Sequence, residues 1–178
     1  LTKVRAIVLM GFMGTGKSEV GRRLAQRLGR SFVDTDQLVE ERTGKRVAAI
    51  FADDGEAAFR ALERTAVADA VAGGGAVVSV GGGAVLDPEN VRTLRAAGVL
   101  VYLTARPEVI VRRIGNPVSR PLLKDDPHGA VTRLLAERGP VYAAAADVTV
   151  DTSDRSAAEV VEEIQLALGR SERWKSSM

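Results

Sequence analysis

The chain contains no cysteine, which rules out disulfides and thiolate metal sites and fits a reducing, cytoplasmic setting. Aromatic residues make up only 4% of it, too few for the stacking platforms on which single-stranded nucleic acids lie. The one histidine, His128, sits among proline and charged residues and reads as a loop residue rather than a catalyst. An excess of charge is lacking too. The 25 basic and 23 acidic residues leave +2, and the two signs are interspersed. The pI of about 9.2 therefore points to an anionic small substrate and not to nucleic acid. Most of the basic residues are arginine, whose planar fork suits carboxylates and phosphates. No apolar run reaches the roughly 18 residues of a membrane span. The first apolar stretch runs straight into glycines, so neither a transmembrane helix nor a signal peptide is expected.

What is present suits one domain around one core: 178 residues, 46% of them apolar. Runs rich in valine and isoleucine lie at about 4–10, 31–35, 76–80, 98–103 and 147–151. Helix-period segments fall between them at 17–29, 36–44, 47–72, 88–97, 106–114, 129–146 and 156–168. Strands alternating with helices predict an α/β fold, a parallel five-stranded sheet with helices on both faces. Asp87 followed by Pro88 marks one helix start, an N-cap with proline at the first helical position. Residues 115–128, "GNPVSRPLLKDDPH", are crowded with proline and charge and read as a long surface loop. The tail from 171 to 178 has no periodicity, and Trp174 within it is expected to fray.

The densest signal is "MGFMGTGKSEVG" at residues 10–21. Gly11, Gly16, Lys17 and Ser18 fit the phosphate-loop pattern G-x-x-x-x-G-K-[ST], with the strand before and the helix after that it requires. Glycines let successive N–H groups converge on phosphate oxygens, and the following helix N-terminus adds its positive end. Lys17 would reach the β- and γ-phosphates of a nucleotide, and Ser18 would ligate Mg²⁺. Glu19 adds a carboxylate to the first helical turn, where it favours the helix dipole.

A phosphate loop does not by itself separate switch, motor and kinase. The third strand, "AVVSV", runs into "GGGAV" with no aspartate following, and no N-K-x-D segment for guanine occurs. Another acid must serve the metal, and "FVDTD" at the end of the second strand offers Asp34 and Asp36. Two apart in a strand, they would share a face turned to the crevice at the carboxyl ends. For Asp36 there is a plainer reading, the N-cap of the helix that follows.

These residues carry a resemblance over about 5–168 to the shikimate kinases. The matching pieces are "GFMGTGKS", "DTD", "IFADDGEAAFRALE", "SVGGGAV", "SRPLL", "AERGPVY" and "VDT". The resemblance implies a nucleoside-monophosphate-kinase-like phosphate-loop fold that transfers a phosphoryl group from MgATP to the 3-hydroxyl of shikimate, a step toward chorismate and the aromatic amino acids. It further implies that Gly14, Thr15, Gly16, Lys17, Ser18 and Glu19 line the ATP phosphates, and that Asp34 supports the Mg²⁺. Asp36 would meet the ring hydroxyls. Arg60 and Arg138 would hold the substrate carboxylate beside Gly81, Gly82 and Gly83. Arg120 would close over the transferring phosphate from a lid at about 115–128, with a substrate-binding region at about 34–63. Arg113 and Arg155 fall where the family flanks adenine, with Arg112 as the alternative to Arg113. A cytoplasmic monomer of one domain, 1–170, with a disordered tail and no nucleic-acid or membrane partner, is expected.

The chemistry of the residues agrees with this. A carboxylated ring bearing hydroxyls is oriented by bidentate arginines at one end and a carboxylate at the other. Glu63, three residues after Arg60, would share its helix face and steady its fork. Two other readings remain: a kinase of another small polyol, gluconate or a nucleoside monophosphate, and a nucleotide-binding regulatory module without turnover.

Overall fold

The computed structural model describes residues 5–115, 125–171 and 174. Five strands, β1 (Ala6–Met10), β2 (Phe32–Asp34), β3 (Val77–Ser79), β4 (Gly98–Thr104) and β5 (Val148–Asp151), form one sheet. They run in the order β2-β3-β1-β4-β5, with every neighbouring pair parallel. Parallel strands need crossovers, and the helices that provide them cover both faces. These are α1 (Lys17–Leu28), α2 (Thr35–Thr43), α3 (Val47–Asp53), α4 (Glu56–Ala72), α5 (Pro88–Ala97), α6 (Pro107–Ile114), α7 (Pro127–Ala145) and α8 (Ala157–Arg170).

Every residue of β1 is buried, and its alternation divides the core in two. Val8 and Met10 face a cluster with Val78, Leu100 and Tyr102 beneath the helices that include α4 to α7. Ile7 and Leu9 face Val20 and Leu24 of α1 and Val161 and Ile164 of α8. A satellite cluster of Val39, Ile50, Phe59 and Ala66 joins α2, α3 and α4. It builds the region that overhangs the carboxyl ends of β2 and β3.

Three expectations are corrected. The helix expected over 47–72 is two helices, broken at Asp54–Gly55 where Gly55 takes φ +87°. That positive φ suits glycine and turns the chain, so α4 re-aims Arg60. His128 is not a loop residue but lies in the first turn of α7, which begins at Pro127 and is capped by Asp126, whose side chain accepts from the Gly129 amide. Trp174 is not frayed: it packs against the α1/α8 cluster, with the Arg30 guanidinium 5.0 Å from its ring centroid. The other tail residues, apart from Ser171, lie outside the described ones.

Strand β1 has β3 on one side and β4 on the other, so the strand order reverses beside it. In open parallel sheets the crevice at such a reversal, at the carboxyl ends of the strands, is where ligands bind. The glycine loop leaves β1 at this point.

Candidate active site

The loop between Met10 and Lys17 has the geometry its glycines permit. Gly11 adopts φ +140°, and a Cβ there would collide with the Leu103 carbonyl. Thr15, buried, ties the loop to itself by donating to the Phe12 carbonyl at 2.8 Å. Gly16 precedes α1 in a left-handed conformation and offers no side-chain cap, which keeps the first amides of α1 free of a competing side chain. Lys17 Nζ donates to the carbonyls of Gly11 and Phe12 at 2.9 and 3.0 Å, so the ammonium lies folded across the loop. Glu19 turns to the outer surface and pairs with Arg23 at 3.3 Å.

At the other side of the loop Ser18 Oγ donates to Asp34 Oδ2 at 2.6 Å. The second oxygen of Asp34 accepts from the amides of Asp36 and Gln37. Asp34 is thus the N-cap of α2, and Asp36 is not. The shared-face argument for the two acids fails with it, because the strand ends at Asp34 and the helix starts at Thr35. Among the described residues no group of three or more histidine, cysteine or acidic side chains is placed to hold an ion. A paired hydroxyl and carboxylate beside a phosphate loop nevertheless suits Mg²⁺, which takes one or two protein oxygens and completes its shell from phosphates and water.

Relieved of capping, Asp36 turns to the triple glycine. A Cβ on Gly81 would come within 2.6 Å of Asp36 Oδ1 and 2.9 Å of Glu63 Oε1. Both oxygens are buried, and neither has a hydrogen-bond partner among the described residues. A Cβ on Gly83 would come within 2.5 Å of the Arg60 guanidinium. The glycine strip is the floor of a pocket, and its missing side chains are the room in which these groups converge. Arg60 NH1 donates to Glu63 Oε2 at 2.8 Å, the helix-face pairing that the spacing predicts. Glu56 holds its other side at 3.3 Å, and its carbon lies 5.4 Å from the Phe59 ring. Burial, with Asp34 and Glu63 adding repulsion, raises the Asp36 carboxyl to about 6 against the opposing pull of Lys17. Burial also pushes Glu63 up, against the pull of Arg60.

Arg138, on α7, lies 6.0 Å from the Phe12 ring of the phosphate loop and against the Tyr142 hydroxyl. One turn later Tyr142, wholly buried, donates its hydroxyl to the Gly82 carbonyl. Arg113 donates to Thr152 Oγ1 at 2.8 Å, to the Thr152 carbonyl at 2.6 Å and to the Gly14 carbonyl of the phosphate loop at 3.4 Å, bonds made by the edge of its guanidinium. Thr152 in turn bonds the Thr15 carbonyl at 3.2 Å, tying the end of β5 to the phosphate loop. Arg155 pairs with Glu163 at 3.6 Å, and Arg112 faces Asp154. Arg120, with residues 116–124, lies outside the described ones. The reading of the sequence missed Tyr142 and Thr152, though both stand in pieces it singled out, "AERGPVY" and "VDT". A hydroxyl alone did not say which carbonyl it would find.

A phosphate loop at the sheet's reversal point, a serine–aspartate pair beside it and a pocket of opposed carboxylates and arginines define a nucleotide-dependent phosphotransferase of a small molecule. The family model described as shikimate kinase matches residues 13–168. The chain is 51% identical over 162 residues to the shikimate kinase of Pelotomaculum thermopropionicum, covering 90% of this chain and 94% of that one. It is 48% identical to that of Caldanaerobacter subterraneus subsp. tengcongensis over the same shares. The structure of shikimate kinase from Acinetobacter baumannii in complex with shikimate superposes with a TM-score of 0.89 at 34% identity, covering 95% of this chain and 96% of that one. The chain belongs to the shikimate kinase family.

Proposed function

We propose that the chain transfers the γ-phosphoryl group of ATP to the 3-hydroxyl of shikimate, giving shikimate 3-phosphate and ADP. The observation that carries this is the pocket over Gly81–Gly83, where two orphaned carboxylate oxygens face an arginine already steadied on both sides. Buried acceptors without donors suit a ligand that brings hydroxyls, and a guanidinium beside them suits a ligand that brings a carboxylate. Asp36 accepts the proton of the attacking hydroxyl or orients it. Arg60 and Arg138 grip the carboxylate, and the strip Gly81–Gly83 lets the ring lie flat against the backbone. Lys17 leaves the Gly11 and Phe12 carbonyls for the β- and γ-phosphates. Mg²⁺ held with Ser18 and Asp34 would screen the phosphate charge.

The test is ADP release with MgATP across shikimate, quinate, gluconate and AMP, with GTP as a second donor. Turnover of shikimate, and weaker use of GTP, is expected. Turnover of gluconate or AMP without shikimate would identify a different small-molecule kinase, and silence on the whole panel would favour a regulatory module. No helix among the described residues is long and apolar enough to cross a membrane.

Two variants probe the assigned roles. Asp34→Asn keeps the cap of α2, because asparagine caps about as well as aspartate. It removes the charge beside Ser18. The Mg²⁺ concentration for half-maximal activity should rise about tenfold with an unchanged melt, and an unchanged metal dependence would free Asp34 of that role. Gly83→Ala drives a methyl group into the Arg60 guanidinium, the mobile end of a side chain. The fold should tolerate it, while KM for shikimate rises about tenfold or more and KM for ATP stays put. Equal shifts in both constants would refute the assignment of Arg60 to the acceptor.

A further inference from the structure

Arg138 and Tyr142 stand four residues apart on α7, so they share one face of it. That face meets the glycine strip. The Tyr142 hydroxyl donates to the Gly82 carbonyl, and the Arg138 guanidinium lies against the same hydroxyl. Gly82 in turn abuts the phosphate loop, since a Cβ on it would be 3.7 Å from both the Gly11 oxygen and the Met13 nitrogen. One buried phenol therefore joins three parts of the site: the loop facing the donor, the floor of the acceptor pocket and an arginine of its wall. Its ring is held by Tyr102, with centroids 5.2 Å apart, so the hydroxyl cannot swing away without disturbing the core. Burial raises its pKa, which keeps it a donor throughout the working range.

We propose that Tyr142 is a positioning residue for acceptor binding. Its hydroxyl fixes the height of the Gly81–Gly83 strip through the Gly82 carbonyl and sets the angle at which Arg138 meets the substrate carboxylate. Core packing alone would need only the ring. The hydroxyl is the part that reaches the site, and it reaches a backbone carbonyl of the pocket floor rather than a group elsewhere in the core.

This inference rests on the shikimate reading of the pocket. Its test is Tyr142→Phe, which keeps the ring and removes one oxygen, assayed with both substrates varied. Arg138 grips the carboxylate in the ground state and the transition state alike, so its misplacement weakens binding more than it slows the chemistry. KM for shikimate is expected to rise about tenfold and kcat to fall less than about threefold, with KM for ATP within about twofold. In a cycle with Arg138→Lys the double variant should lose much less than the product of the two single losses, because both act on the same grip. A purely structural tyrosine would lower the melt and leave the two KM values unchanged or moved together, and that result overturns the proposal. A full multiplicative loss in the cycle overturns the route through Arg138. Assays held well below any lowered melting midpoint keep the kinetic split readable. Wild-type protein run in parallel separates the two claims. If it ignores shikimate, the functional reading fails, and the Tyr142 comparison is then made with whichever acid of the panel it phosphorylates.

Discussion

Lys17→Ala is expected to lower kcat about a thousandfold while the chain still folds, with a lowered melting midpoint. Preorganised donors aimed at developing charge are worth about 10²–10³ each, and an ammonium between transferring phosphates serves that role without any covalent step. In the structure Lys17 holds two loop carbonyls, so its loss also removes two hydrogen bonds from partly buried acceptors. Each is worth about 1.5 kcal/mol, the low end for a charged donor, because both bonds are only partly buried. The loop keeps its shape without them, through the Gly11 conformation and the Thr15 tie to Phe12. Circular dichroism and a thermal melt beside the kinetics distinguish the outcomes. A folded variant with wild-type turnover would remove Lys17 from the mechanism.

Asp36→Asn should cut kcat by about two to four orders of magnitude, the range of lost general-base assistance. The fold gives this variant unusual clarity. Asp34 caps α2, so a change at Asp36 leaves the cap intact and any loss of rate reports the pocket. The melt carries a second signature in nucleotide-free protein. The Asp36 carboxyl titrates near 6 when folded against an ordinary 3.8. The folded state therefore binds its proton more tightly than the unfolded state does. The stability this group contributes is full below about pH 3.8 and is lost as pH rises through 6. Above that window the ionised, half-buried group costs about 1–2 kcal/mol once the solvent that reaches it is allowed for. Asparagine carries no such cost. The variant should melt a few degrees higher than the wild type at pH 7.5 and no higher at pH 4. A variant that is slower but equally stable at both values would leave the kinetic role standing and refute the strained carboxylate. Unchanged kcat would refute the base itself.

Local patterns in the chain determined much of this protein. The valine and isoleucine runs alternate with helix-period segments, which points to a parallel sheet covered by helices on both faces, while the strand order β2-β3-β1-β4-β5 came only from the fold. The phosphate loop was legible for the same reason: glycine spacing, lysine and serine are contiguous, and their chemistry needs no distant partner. The Arg60–Glu63 pair was legible because both stand on one helix, three residues apart. Tertiary structure decided what depends on where a chain end points. Asp34 and Asp36 looked like two acids on one strand face, and only the point at which β2 becomes α2 made one the cap and left the other half-buried, with one oxygen that has no partner among the described residues. The break before Arg60 showed in the chain as "DDG", but the φ of +87° at Gly55 that re-aims the helix there did not, since a single dihedral leaves no mark on periodicity. The resemblance set Arg113 beside adenine, but only the fold shows what orients it: its donors meet Thr152, a residue 39 positions away, and the Gly14 carbonyl of the phosphate loop. Tyr142 and Gly82 stand 60 positions apart. Each was visible in the chain, but a hydroxyl selects its carbonyl only once α7 lies against the glycine strip.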